Sequence, residues 1–197
     1  KINMRFLSEK ITDHIVKSGA ISEESYAIYQ YGFQIGLEML GCFLVSLFIA
    51  LYMHMIPQFF VSTVVFMLLR TYAGGIHLKS YLGCFFCSIA VQTMILLINE
   101  YYALKCTIAW LIILIGTILI LKVAPVENVN RELDQYERKH CKGVTKKVLT
   151  GIIVVSAVCT YLERYNTVSL IALTIMMVII SQYMGIVMFK LGKNRRR

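Results

Sequence analysis

Long apolar runs separated by short polar breaks set the pattern of this chain. They lie near residues 35–56, 59–73, 81–98, 107–124, 148–162 and 168–189. At about 1.5 Å of rise per residue, Ile35–Ile56 forms a helix long enough to cross a hydrocarbon core of about 30 Å. Phe59–Ala73 and Val148–Leu162 fall short of the roughly 17 residues a spanning helix needs, so a tilted, recessed or partly re-entrant course is expected for them. A count of four or five full crossings therefore stays open beside six. Ahead of these runs, Met4, Leu7, Ile11 and Ile15 recur at helical spacing with Arg5, Lys10, Asp13 and Lys17 between them. That pattern predicts an amphipathic helical segment over residues 1–31, lying on the membrane surface or capping the bundle. The expected architecture is an all-α polytopic membrane protein with about six transmembrane helices after this N-terminal segment. One integral membrane domain covers residues 1–197.

Composition moves the reading in the same direction. A hydrophobic content of 58% and a mean hydropathy of +0.68 exceed the roughly 45–50% apolar usage of soluble domains, so the natural solvent for this surface is lipid. Two prolines and six dispersed cysteines exclude a collagen-like chain and a disulfide framework, and the thiols are expected to be free. Residues 1–31 lack a compact apolar run followed by a small-residue cleavage site, so the first span is expected to remain in the mature protein.

The net charge of +9 is read as membrane orientation rather than nucleic-acid binding, because the basic residues flank apolar runs. Arg131, Arg138, Lys139, Lys142, Lys146 and Lys147 crowd the 127–147 segment, expected to be a loop, and five more Lys and Arg lie between Lys190 and Arg197. The alternate connections hold only Lys105 and Arg164. Excess Lys and Arg on one side predicts that both termini, the 127–147 loop and the 74–80 connection are cytoplasmic.

Ionisable groups in or beside a membrane are costly and are functional candidates by default. Glu38, His54, Arg70, His77, Lys122 and the thiols make up that set. His77 and Cys84 stand out within Arg70-Thr-Tyr-Ala-Gly-Gly-Ile-His-Leu-Lys-Ser-Tyr-Leu-Gly-Cys84, because a cysteine nucleophile needs a neighbouring base and histidine is the usual one. Seven residues of unbroken helix would hold the two side chains about 10.5 Å apart, too far for proton transfer. A dyad therefore requires a break, and Gly74-Gly75 and Gly83 supply the places for one. The plainer reading is a solvated interfacial histidine beside a cysteine that packs as a small hydrophobe. Cys87, one turn deeper, is the rival nucleophile. Cys42, Cys106 and Cys159 read as packing residues, and His140-Cys141 as solvated loop. No set of four ligands converges in sequence, so neither a metal nor another cofactor is expected.

These residues carry a resemblance. The Tyr31-Gly32 entrance to the first span, the Arg70…Gly74-Gly75-Ile76-His77…Cys84 block, and Ala124-Pro125-Val126-Glu127 followed by Asn130 and Leu133 are similar to the AgrB family of accessory gene regulator proteins. These are membrane cysteine endopeptidases that process a quorum-sensing propeptide. The resemblance implies that Cys84 is the nucleophile and His77 its base, and that an AgrD-like propeptide is cut on the cytoplasmic side of a bacterial plasma membrane. The acyl group held on the cysteine then passes to a Cys or Ser of the same peptide, closing a thiolactone or lactone. A homodimer is suggested by the same likeness. The chain departs from the family pattern at Asn130-Arg131-Glu132, where Asn-Lys-Pro is common.

Supporting roles are assigned as expectations. Gln34 is a candidate to orient His77 or donate to the oxyanion, and Arg70 to bind an acidic part of the substrate or to snorkel toward headgroups. Glu38 is expected to pair with Arg70 or to help hold His77, a structural pair being the plainer reading. Ser80 and Lys79 lie between the dyad residues and polarise the pocket. The competing class is a small peptide exporter or transporter whose polar groups line a pathway, and a third is a non-catalytic scaffold.

Overall fold

A computed structural model of the protein describes residues 4–75, 81–126 and 134–194. Seven α-helices lie among the described residues: α1 (Met4–Lys17), α2 (Tyr26–Tyr52), α3 (Ile56–Ala73), α4 (Tyr81–Tyr101), α5 (Cys106–Val123), α6 (Gln135–Tyr161) and α7 (Tyr165–Asn194). The last six are long and apolar enough to cross a membrane, and the chain is an all-α polytopic membrane protein. The two short apolar runs become helices of full length. α3 starts at Ile56 and has 18 residues, with proline in its first turn, where a missing N–H costs nothing. α6 has 27 residues. Its first turns are polar, which is why hydropathy alone cut it short.

The 127–147 segment is therefore not a loop throughout. From Asp134 it is capped and helical: the Asp134 carboxylate accepts the Tyr136 amide at 2.8 Å, while Glu137 accepts the Asp134 amide at 3.3 Å. This capping box is written in the sequence as Asp-x-x-Glu and closes the exposed start of α6. His140 and Cys141, expected in a loop, lie on that helix, with Cys141 half-buried.

The amphipathic N-terminal segment is also shorter than expected. α1 ends at Lys17, a 3-10 turn covers Glu23–Ser25, and α2 has begun by Tyr26. α1 packs along α2, and its fully buried positions are Ser8 and Thr12 rather than the leucine and isoleucine stripe. Small hydroxyl side chains let the two backbones approach, and Thr12 satisfies its own hydroxyl on the Ser8 carbonyl at 2.8 Å. Tyr26 Oη donates to Asp13 at 2.8 Å and fastens the hairpin.

α7 is the axis of the bundle and packs against α3, α4, α5 and α6. Eight consecutive residues, Val168–Ile175, are buried, so the helix is apolar on all sides as a central helix must be. Two cores meet on it. Val65, Leu69, Ile113, Ile120, Leu149, Ile171 and Ile175 fill the first, and Phe59, Ala50, Ile95, Leu96, Leu170 and Leu173 the second. Several polar groups inside are satisfied across helix interfaces, while Gln58 Oε1, Asn99 Oδ1 and Thr117 Oγ1 are buried without a hydrogen-bond partner among the described residues. Gln92 on α4 donates to Ser62 at 2.5 Å and to Thr63 at 3.1 Å on α3. Trp110 Nε1 donates to Thr160 at 3.0 Å, and Asn99 Nδ2 to Asn166 at 2.9 Å.

α5 and α7 touch at Gly116, where a Cβ would stand 2.5 Å from Ile175 Cγ2 and 3.1 Å from Ile179 Cδ1. Gly116→Leu is expected to cost about 1–3 kcal/mol by overpacking. In detergent this should lower the thermal midpoint by about 2–4 °C per kcal/mol. Gly151→Ala on α6, with nothing within 4 Å of its Cβ position, should leave the midpoint unchanged or slightly raised.

Candidate active site

Where α3 stops, several polar side chains from different helices converge. The helix ends at Ala73 because Gly74 adopts φ 80° and ψ −170°, a backbone region essentially reserved for glycine. This is the break the glycine pair predicts. A Cβ on Gly74 would also lie 2.5 Å from the Val126 carbonyl oxygen and 2.9 Å from its nitrogen. Gly75 is equally confined, since a Cβ there would overlap Arg70 Nη1 and stand 2.7 Å from Ser181 Oγ.

Three contacts hold this helix end. The Val126 amide donates to the Ala73 carbonyl at 3.0 Å, bringing the Ala-Pro-Val segment after α5 across the glycines. Gln182 of α7 donates its Nε2 to the same carbonyl, also at 3.0 Å, from a side chain that is 1% exposed. Beside it, Arg70 Nη1 donates to Ser181 Oγ, and the guanidinium lies over the Phe66 ring at 6.0 Å. The orphan carbonyl of a helix C-terminus is thus satisfied twice from outside the helix. Sequence reasoning missed Ser181, Gln182 and the role of Val126. The signal was present in Ser181-Gln182, a polar pair inside an apolar span.

Cys84 lies in the first turn of α4, half-buried. It lies near Arg70 of α3 on one side and Cys42 of α2 on the other. Cys42 Sγ contacts the Phe85 carbonyl at 3.9 Å, which ties α2 to the start of α4. On α2, Gln34, Glu38 and Cys42 recur every four residues and share one helix face. Gln34 is buried and donates to Glu38 at 3.4 Å. The expected Glu38–Arg70 pair is replaced by two separate contacts, Gln34 with Glu38 and Arg70 with Ser181. Cys87 is exposed on α4, also near Arg70.

The structure therefore gathers Gln34, Glu38, Arg70, Gly74, Gly75 and Cys84 at one end of the bundle. His77, Lys79 and Ser80 lie outside the described residues, as do Glu127, Asn130 and Leu133. His54 and Lys122 stand elsewhere, His54 in the turn between α2 and α3 with φ 56° and Lys122 in the last turn of α5. Chemically, the assembled end offers a thiol, a nearby guanidinium and a fixed helix terminus. Gly74→Ala is expected to cost about 1–3 kcal/mol in backbone strain and to push Val126 away. Faster hydrogen exchange at the Val126 amide, with a lower thermal midpoint, would be the measurement that checks it.

Comparison with known proteins places this arrangement. No solved structure matches the chain. An AgrB-like protein of Clostridium beijerinckii is 29% identical over 100 residues, half of each chain, so the chain spans about half the length of the curated relative it matches. The family model described as Accessory gene regulator B matches residues 8–182, from the buried face of α1 to the glutamine that caps α3. The chain belongs to the accessory gene regulator B family.

Proposed function

We propose that this protein is a membrane-embedded cysteine endopeptidase that cleaves the C-terminal part of an AgrD-like quorum-sensing propeptide at the cytoplasmic face. The observation that supports this reading most is the position of Cys84. It sits half-buried in the first turn of α4, near Arg70, at the level where α3 is broken at Gly74. The thiolate is the reactive form of a cysteine nucleophile, which is why the reading needs a base beside it.

In this reading His77 takes the Cys84 proton and the thiolate attacks the scissile carbonyl, forming a tetrahedral intermediate. Collapse breaks the peptide bond. The leaving amine of the C-terminal tail receives the proton from His77, and the rest of the peptide stays on Cys84 as a thioester. A Cys thiol or Ser hydroxyl of the same peptide then attacks that thioester, regenerating Cys84 and closing a thiolactone or lactone ring. Exchange of one thioester for another is close to isoenergetic, so a thiolactone product requires only that water be kept from the intermediate. A half-buried nucleophile at a membrane edge suits that requirement. Gln34 and Arg70 are the candidates for orienting the base, stabilising the oxyanion or holding the substrate.

The test is co-expression with an AgrD-like propeptide and mass spectrometry of the products. Cys84→Ala should abolish both cleavage and ring closure, and His77→Gln should lower the cleavage rate by about 10²–10⁴-fold while membrane insertion is retained. Processing by Cys84→Ala at the wild-type rate would refute the assignment, as would loss of insertion accounting for the His77→Gln effect.

A further inference from the structure

We propose that Glu38 is a specificity-determining residue, its carboxylate receiving a lysine or arginine side chain of the propeptide beside the nucleophile. The inference deepens the reading of Cys84 as that nucleophile and rests on it. It starts from a cost. A carboxylate within an apolar span is expensive unless a cation or several donors meet it, and Glu38 is the single charged residue among the 27 of α2. Among the described residues its hydrogen-bond partner is Gln34, whose Nε2 reaches Oε1 at 3.4 Å, beyond the usual range of an N–H···O bond. An ionised carboxylate has about four acceptor positions, so most of this capacity is unused. No lysine, arginine or histidine among the described residues pairs with it. Arg70, the cation at this end of the bundle, is engaged by Ser181 and stacked over Phe66 instead.

The place of the carboxylate gives the cost a use. Glu38 and Cys42 stand one turn apart on one face of α2, and Cys42 Sγ contacts the Phe85 carbonyl, next to Cys84, at 3.9 Å. α3 runs back between α2 and α4, so those two helices point the same way and pack together. One turn before Cys42, about 6 Å along the axis, Glu38 is therefore level with the start of α4 at Tyr81. A chain reaching Cys84 from that end passes the carboxylate first. Glu38 is half-buried, accessible to a side chain arriving from outside the bundle yet shielded enough for a charge pair to count. Lysine and arginine suit such a site, since each carries its charge on an apolar stem that can lie along the helix while the head meets the carboxylate. The pair forms in the complex and not in the free protein, so it discriminates among peptides, and an acidic residue at the same peptide position is repelled.

The experiment is a charge exchange. Full-length protein in detergent is assayed for kcat and KM on an AgrD-like propeptide that the wild type cleaves, and on a set in which each Lys and Arg of that peptide is replaced singly by Glu. Glu38→Lys should lower kcat/KM on the parent peptide about tenfold or more, chiefly through KM. One exchanged peptide should be a poor substrate for the wild type and regain most of the loss with Glu38→Lys. Glu38→Gln, equal in shape but uncharged, should no longer discriminate between the parent and that peptide. The proposal is overturned if no exchanged peptide restores Glu38→Lys, or if Glu38→Gln keeps the wild-type preference. A loss confined to kcat and equal for every peptide also overturns it, since that is the mark of a residue holding the catalytic groups. Should Glu38→Lys fail to insert, the preference of Glu38→Gln decides alone. Cys84→Ala, run on the parent peptide, tests the underlying reading separately: cleavage by that variant refutes the nucleophile whatever the charge exchange shows.

Discussion

A helix that stops inside a membrane protein must hand its last carbonyls to some donor, since lipid offers none. The end of α3 meets this constraint by borrowing from two distant parts of the chain: the Ala73 oxygen takes the Val126 amide and the Gln182 side chain. Much of what distinguishes this fold from a plain bundle follows. Gly74 needs a conformation only glycine holds well, Val126 must come within contact distance, and α7 must carry polar residues at one level of an otherwise apolar length.

The same demand explains why α7 is central. A helix that caps another must reach it from within the bundle, and α7 packs against four others. Its inner half is apolar apart from Ser169 and Thr174, whose hydroxyls find partners at once: the Leu104 amide donates to Ser169, and Thr174 donates to the Leu170 carbonyl. At the level of the site, Ser181 and Gln182 likewise bind elements far away in sequence, here the end of α3. The site is thus supported by the axis of the molecule, while α1 and α2 stand at its periphery.

Hydropathy was enough to find the spans because backbone satisfaction in lipid leaves a helix little alternative, and the glycine pair announced the break in α3. The length of α6 was hidden because its polar first turns read as a loop unless Asp134 and Glu137 are recognised as a reciprocal cap. The α1 interface left no trace in the apolar pattern: Ser8 and Thr12 are buried by close backbone packing, which hydrophobic periodicity does not register. Gln182 was the harder case. A lone amide in a span carries no charge and no motif, and only the three-dimensional approach of Ala73 reveals what it holds. The partner of Glu38 was mistaken since opposite charge suggests a pair, whereas the nearer group on the same helix is Gln34.

The unequal lengths of the helices have a mechanical consequence. α3 and α5 have 18 residues each, about 27 Å, whereas α7 has 30. α7 passes the end of α3 at Gln182 and continues to Asn194. Lipid tails bordering α3 and α5 must shorten to match them, each ångström of mismatch costing a fraction of a kcal/mol. Against a hydrocarbon core of about 30 Å these helices are about 3 Å short, so acyl-chain length becomes a variable that bears on the chain at Gly74. A thicker membrane draws the terminus of α3 inward against its two borrowed hydrogen bonds, and a thinner one relieves them.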